Sequence, residues 1–238
     1  MIITALKGGL GNILFQIAAG WSLAKSIDTD FYYTFEKWHS FTNHKNEDFE
    51  NTILKYLTKR KIEPRLKPFY EENILFKELP KVDNQLLFGY FQNIKYFIDE
   101  DEVRQLFHVP IQKEYNDHTF LHVRRGDYLK LRHMFHILER DYYERALDIL
   151  KPNKIILLTD SEDLIKEDPF FSQFERSKKK GVLNDLSIMK SCKNAIIGNS
   201  TFSWWGAFLS NSHEIIAPKN WFIDEKFNTI IPEKWTKI

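Results

Sequence analysis

IITALKGGLGNILFQIAAGWSLAKS, residues 2–26, reads in three parts. Ile2 to Leu6 is an apolar run of strand length. Lys7-Gly8-Gly9-Leu10-Gly11-Asn12 is a turn rich in the residue that accepts positive φ. From Ile13 to Ser26, Leu14, Ile17, Ala18, Trp21 and Ala24 recur at helical spacing. Strand, glycine turn and helix together are the opening unit of an α/β sheet. Working outward, Phe31-Tyr32-Tyr33 predicts a second strand, residues 42–81 short helices and loops, Leu86 to Gly89 a strand, and Phe97 to Phe107 a helix that ends before Pro110.

The segment Val109 to Asp117 is polar, contains Pro110 and has no periodicity, so the halves are set at 1–112 and 113–238. After it the rhythm restarts. Strands are predicted at Phe120–Val123, Ile155–Leu158, Ala195–Gly198 and Glu214–Ala217, with helices at Tyr142–Leu150, Asn184–Cys192 and Phe202–Leu209. Strands alternating with helices imply a parallel sheet covered on both faces.

Composition narrows the class. Of 238 residues, 43% are hydrophobic and 28% charged, as in a soluble globular protein. Aromatics reach 15%, which suits stacking on sugars or an aromatic-rich core. A net charge of +1 and no basic stripe argue against nucleic acid or a membrane surface as partner. No apolar run approaches the roughly 18 residues of a membrane span. Cys192 is the one cysteine and has no internal disulfide partner. The expectation is a soluble, cytoplasmic protein, with peripheral membrane association still compatible.

In open α/β sheets ligands bind beyond the carboxyl ends of strands. Four such places hold unusual residues. The turn with Gly9, Gly11 and Asn12 lets a backbone approach a ligand and leads into a helix N-terminus, or is a tight turn only. His122-Val123-Arg124-Arg125-Gly126-Asp127-Tyr128 puts a planar guanidinium, matched to phosphate oxygens, at a strand end; a surface salt bridge to Asp127 is an equal alternative for Arg125 and the weaker one for Arg124. Asp160 in Thr159-Asp160-Ser161 can accept two donors from a guanine edge, although spacing alone favours a helix cap. Asn199-Ser200-Thr201-Phe202-Ser203-Trp204-Trp205-Gly206 places three hydroxyls at a helix start, a ready anion site, with the two tryptophans expected to pack on the sheet.

Together these segments resemble the α-1,2-fucosyltransferases of glycosyltransferase family 11. Further matches are Leu14-Phe15-Gln16, Gly89-Tyr90-Phe91-Gln92 with Lys95-Tyr96-Phe97, Tyr142-Tyr143 with Ala146, then Asp185, Met189, Cys192, Ala217-Pro218-Lys219 and Trp221. The resemblance implies a GT-B type α/β architecture of two Rossmann-like domains with a ligand cleft between them. Residues 1–112 would serve the acceptor and 113–238 would bind GDP-fucose. It implies inverting transfer of L-fucose from GDP-β-L-fucose to a sugar hydroxyl, the 2-OH of a galactoside. By the same analogy Arg124 holds the β-phosphate, His122 and Asp160 lie near guanine and ribose, and Ser200, Thr201 and Ser203 line the phosphate site. The donor-binding set is thus Gly9, Gly11, Asn12, His122, Arg124, Asp160, Asn199, Ser200, Thr201, Phe202 and Ser203.

The chain departs from the pattern in places. Ile13 stands where the family has Gln, Thr159-Asp160-Ser161 stands for Ser-Asp-Asp, and the chain is shorter around 40–85 and 165–185. No general base stands out. Asp127 is the candidate beside the phosphate clamp, ahead of Glu139, Asp141 and His136. The rival readings are a fucosyltransferase of another linkage or acceptor, and a non-catalytic GDP-sugar-binding protein. Turnover of GDP-fucose separates the last from the others.

No DxD carboxylate pair stands at a plausible metal site, so arginine and helix N–H groups are expected to neutralise the leaving diphosphate with no cofactor or metal. Transfer is therefore expected to persist in excess EDTA. A complete loss restored by Mg²⁺ or Mn²⁺ would refute this scheme.

Overall fold

The computed structural model describes residues 1–35, 49–210 and 212–238, without the side chains of Asp127 and Leu164. The part of the predicted helix-and-loop stretch at 42–48 lies outside the described residues. The chain divides into two compact units, Met1–His108 and Val109–Ile238. The division precedes the expected boundary because Val109 to Gln112 are tied to a helix of the second unit. Lys190 Nζ donates to Val109 O (2.8 Å), Ser187 Oγ to Pro110 O (2.9 Å), and Gln112 N to Ser191 Oγ (2.8 Å).

In the first unit, β1 (Ile2–Leu6) lies between β2 (Phe31–Phe35) and β4 (Gln85–Phe88), with β3 (Lys67–Tyr70) beyond β4. All pairs are parallel. Every residue of β1 is buried, as a central strand covered on both faces requires. Its alternation sorts the core. Ile2 and Leu87 pack with Ala19, Leu23 and Ala24 of α1 (Leu10–Ser26), and Ile3, Ala5 and Leu86 pack with Met1 and Leu66 on the other face.

Three predicted elements change. Helix α1 starts at Leu10 because Gly9 takes the N-cap position, so Gly11 and Asn12 lie in its first turn, and only Gly8 has positive φ (81°). The helix predicted at 97–107 is a 3₁₀ turn, Ile94–Tyr96, followed by α2 (Glu100–Leu106). Its start is set by Asp99, whose side chain accepts from Glu102 N (2.9 Å). Strand β3 was expected to be helix or loop. It is mostly exposed and contains Pro68, so it lacks an apolar alternation. Pro68 is tolerated because β3 is an edge strand with a single neighbour.

The second unit holds six parallel strands in the order β10-β9-β8-β5-β6-β7. These are β5 (Thr119–Val123), β6 (Ile155–Thr159), β7 (Glu175–Arg176), β8 (Asn194–Ile196), β9 (Glu214–Ala217) and β10 (Thr236–Lys237). The two-residue edges β7 and β10 are too short and polar to leave a sequence pattern. On one face, Leu121, Val123, Leu157, Ile196 and Ile216 pack with Tyr142, Tyr143 and Ala146 of α3 (Arg140–Leu150) and with Ile165, Phe170 and Phe171. The last three sit on two short helices, α4 (Glu162–Lys166) and α5 (Pro169–Ser172), which the sequence reading missed. Phe120, Ile156, Leu158, Ala195 and Ile197 alternate with them and are also buried. Helices α6 (Val182–Ser191) and α7 (Thr201–Leu209) pack against each other. Trp204 and Trp205 are fully buried, as expected, and Trp204 Nε1 donates to Ile230 O (3.0 Å). No described helix is long and apolar enough to cross a membrane.

Strand order reverses between β5 and β8. From β5 the sheet grows through β6 to β7 on one side and through β8, β9 and β10 on the other. The carboxyl ends of β5 and β8 therefore flank the crevice where an α/β sheet takes its ligand.

The α6–α7 contact depends on a missing methyl. A Cβ on Gly206 would lie 2.6 Å from Met189 Cβ, which no side-chain rotation relieves. Gly206→Ala is expected to cost about 1–3 kcal/mol, the range of core overpacking. Urea unfolding of the two proteins measures it, and unchanged stability would show that the two helices are not in close contact.

Candidate functional site

The site is the loop set at the ends of β5, β6 and β8. Arg124 and Arg125 leave β5, and two like charges in succession need an anion. Asp160, directly after β6, supplies it. Arg124 Nη1 lies 2.8 Å from Asp160 Oδ2, and Arg125 N donates to Asp160 Oδ1 (3.1 Å). Ser161 Oγ also donates to Oδ1 (3.1 Å) while accepting from Gly126 N (2.7 Å). Gly126 has to be glycine, because a Cβ would run into Asp160 Oδ2. The helix-cap reading of Asp160 is corrected: the cap residue of α4 is Ser161, with no side-chain cap bond, and Asp160 holds the arginine loop. The pairing of either arginine with Asp127 lies outside the described residues, while other partners are in view. Arg124 pairs with Asp160 and lies 5.1 Å from the Tyr128 ring centroid, while Arg125 Nη2 lies 3.3 Å from Glu139 Oε2. Asp127 sits in the 3₁₀ turn Gly126–Lys130, and its side chain lies outside the described residues.

His122 is 4% exposed, and its Nδ1 has no hydrogen-bond partner. Its ring meets Phe202 edge-on at 6.2 Å. Burial pushes its pKa down to about 4; the Asp160 carboxylate opposes this and Arg124 adds to it. The imidazole is thus neutral. Gly198, after β8, makes room beside it, since a Cβ there would lie 3.0 Å from His122 O and 3.4 Å from Nδ1.

Helix α7 begins at the same edge. Ser200 is its N-cap, without a side-chain cap bond, and no acidic residue lies in the first turn to offset the positive end of the helix dipole. Phe202 and Thr201 are partly exposed there. Two of the expected ligand residues brace the loop. Ser203 Oγ, fully buried, donates to Gly198 O and Ser200 O (3.2 and 3.1 Å). Asn199, 1% exposed, donates to His136 O and Trp221 O (2.6 and 3.3 Å). The structure therefore brings His122, Arg124, Asp160, Ser200, Thr201 and Phe202 to one edge, with Asn199 and Ser203 behind them. Gly9, Gly11 and Asn12 belong to the first unit, at the end of its β1. Sequence reasoning missed Tyr128 and Ser161, although both adjoin residues it chose. Among the described residues no three His, Cys, Asp or Glu cluster as metal ligands do.

The family model described as Glycosyl transferase family 11 matches residues 44–238. The O-antigen biosynthesis glycosyltransferase WbnK of Escherichia coli is 28% identical, over 99% of each chain. An α-1,2-colitosyltransferase of Escherichia coli is also 28% identical, over 100% of this chain and 99% of its own. Among solved structures, fucosyltransferase NodZ from Bradyrhizobium superposes with a TM-score of 0.54 at 15% identity, covering 88% of this chain and 93% of that one. Escherichia coli heptosyltransferase WaaC with ADP gives 0.51 at 12% identity over 99% and 92%. At these identities the structural likeness shows the fold, two α/β units of GT-B type.

The low pKa of His122 has a consequence for stability. The folded state keeps the ring neutral down to about pH 4, whereas an unfolded histidine takes its proton near 6.5. Stability from this residue is present above pH 6.5 and is lost as pH falls toward 4, by on the order of 3 kcal/mol. His122→Gln is expected to flatten this part of the Tm–pH curve relative to wild type. Parallel curves would show that His122 titrates normally.

Proposed function

Because the chain belongs to glycosyltransferase family 11, we propose that it transfers L-fucose from GDP-β-L-fucose, with inversion, to a sugar hydroxyl, the 2-OH of a galactoside. The observation that carries this reading is the Arg124 guanidinium, held by Asp160 at the switch point of the second sheet, beside the start of α7. A diphosphate leaving group gains negative charge as its bond to the sugar breaks. A preset cation and a helix N-terminus meet that charge without reorganising. The neutral His122 and the partly exposed Phe202 beside it suit the nucleoside end of the donor.

The reaction is a single in-line displacement. The acceptor oxygen bonds the anomeric carbon as the bond from that carbon to the β-phosphate oxygen breaks. The electron pair leaves with GDP, and the acceptor hydroxyl proton passes to a base. Asp127 is the proposed base, by its place in the turn after Arg124. Glu139 is occupied by Arg125. Charge on the diphosphate is met by this chain's own groups, and no step in the proposal uses a metal. The printed name of one relative supports the α-1,2 linkage and also favours a second reading, in which the donor sugar is colitose. Turnover of each GDP-sugar against a galactoside panel, with linkage read by NMR, decides between them.

Arg124→Ala is expected to lower kcat by about two to three orders of magnitude, the scale of one lost transition-state charge contact. Arg124→Lys recovers only part, because the fork is lost. GDP affinity falls more than GMP affinity in both variants, since GMP lacks the β-phosphate. Near-normal turnover in Arg124→Ala removes this residue from the mechanism.

A further inference from the structure

The Arg124 guanidinium is met by a ring as well as by a carboxylate. Asp160 Oδ2 lies 2.8 Å from Nη1, and the Tyr128 ring centroid lies 5.1 Å from the guanidinium carbon. The ion pair is open to water, with side chains 28% and 24% exposed, and so contributes little rigidity. A ring face adds what the pair lacks, a plane on which a flat cation lies.

Tyr128 can set that plane because its own ring is fixed. Phe135 stacks on it with centroids 4.3 Å apart and planes at 16°, and the buried Phe222 packs on Phe135 at 5.2 Å. The main chain follows the same route. Leu131 N donates to Tyr128 O (2.9 Å) and Phe135 N to Leu131 O (3.0 Å), which closes the turn between the two rings. Phe135 and Phe222 face each other in an antiparallel bridge, flanked by Ile223 N to Met134 O (3.0 Å) and His136 N to Trp221 O (3.3 Å). Asn199 donates to His136 O and Trp221 O, so it ties both sides of this bridge to the end of β8, where α7 starts. Asn228 Oδ1 accepts from Trp221 N (2.9 Å) and Phe222 N (2.7 Å) and fixes the far end. The row Arg124, Tyr128, Phe135, Phe222 thus runs from the arginine loop into a braced segment of the same unit.

We propose that Tyr128 is a positioning residue: its ring, backed by Phe135 and Phe222, sets the plane of the Arg124 guanidinium, and its hydroxyl has no part in this. The proposal rests on the donor reading above, in which Arg124 meets the β-phosphate. A guanidinium already in plane need not reorganise as charge develops on the leaving diphosphate. Loss of the ring therefore acts on the donor through Arg124.

The test uses the full chain, with GDP and GMP affinity by calorimetry, GDP-fucose turnover and Tm for each variant. Tyr128→Leu is expected to weaken GDP binding by about tenfold, the scale of one lost cation–π contact, and GMP binding much less. Its kcat falls while the acceptor KM stays. Tyr128→Phe recovers GDP affinity and kcat, because the ring remains. Phe135→Leu, one ring further back, gives the same pattern more weakly, and keeps the test open if Tyr128→Leu does not fold. In an Arg124→Ala background, Tyr128→Leu has no further effect on GDP affinity. The proposal is overturned by a folded Tyr128→Leu with unchanged GDP affinity and kcat, or by an equal loss for GDP and GMP. It is overturned too by a Tyr128→Phe as weak as Tyr128→Leu, or by a loss that persists in the Arg124→Ala background. An Arg124→Ala single variant that prefers GDP over GMP as wild type does overturns the donor reading, and this proposal with it; that failure shows in the single variant, before Tyr128 is touched.

Discussion

The Asp160 carboxylate is the constraint on which the donor edge depends. It ends β6 and gathers three donors from two loops: the Arg124 guanidinium, the Arg125 N–H and the Ser161 hydroxyl. Ser161 in turn receives Gly126 N. Without this anion, the Arg124 guanidinium would lose its Asp160 partner and the Arg125 N–H its acceptor. With it, the Arg124 guanidinium is held at the sheet edge. The same arrangement limits what Asp160 can do. An oxygen already accepting from Arg125 N and Ser161 Oγ reads a guanine edge only by giving up part of the loop. A guanine contact from Asp160, as the resemblance implies, would therefore compete with the clamp.

Much of this was legible in the sequence. The βα rhythm gave the central strands β1, β5, β6 and β8, because buried parallel strands are continuous apolar runs. The strand ends then pointed to His122, Arg124, Asp160 and Ser200–Ser203. What escaped had physical reasons. β3 is an exposed edge with a proline, β7 and β10 are two-residue pairings, and α4 and α5 are single short turns, none long enough to show a period. Side-chain partners escaped more thoroughly. Nothing in the spacing of Arg124 and Asp160, which are distant in sequence, says that one holds the other. Glu71 was invisible for the same reason: it accepts from Tyr90 N and Phe91 N only once β3 lies beside β4.

The two units repeat one architectural device with different side chains. Each is a parallel sheet whose strand order reverses beside its central strand, and each puts glycines where two loops converge. In the second unit the converging loops carry two arginines, one guanidinium held by Asp160 and the other by Glu139, and a helix start without acidic residues. In the first the described loops carry one lysine, Lys7, whose charge acts on Glu71. Burial raises the pKa of Glu71, while the Tyr90 and Phe91 N–H groups and Lys7 pull it back, which marks an anion kept for structure.

The motif block Asn199 to Gly206 shows why a diagnostic sequence stretch overstates a contact list. Asn199 and Ser203 spend their side chains on main-chain carbonyls, Trp204 and Trp205 are core, and Gly206 makes room for Met189. Only Thr201 and Phe202 reach the surface in that run, with Ser200 just beneath. The block is specific because it aims a helix start, and aiming requires the residues behind the start to be fixed. A buried Trp204 anchored to Ile230 O and a Ser203 bonded back across its own turn do that. Under the proposed donor site, substitutions at these positions would act on ligand binding through the direction of α7, whereas those at Thr201 or Arg124 would act through the ligand itself. Affinity lost with stability belongs to the first group, and affinity lost without it belongs to the second.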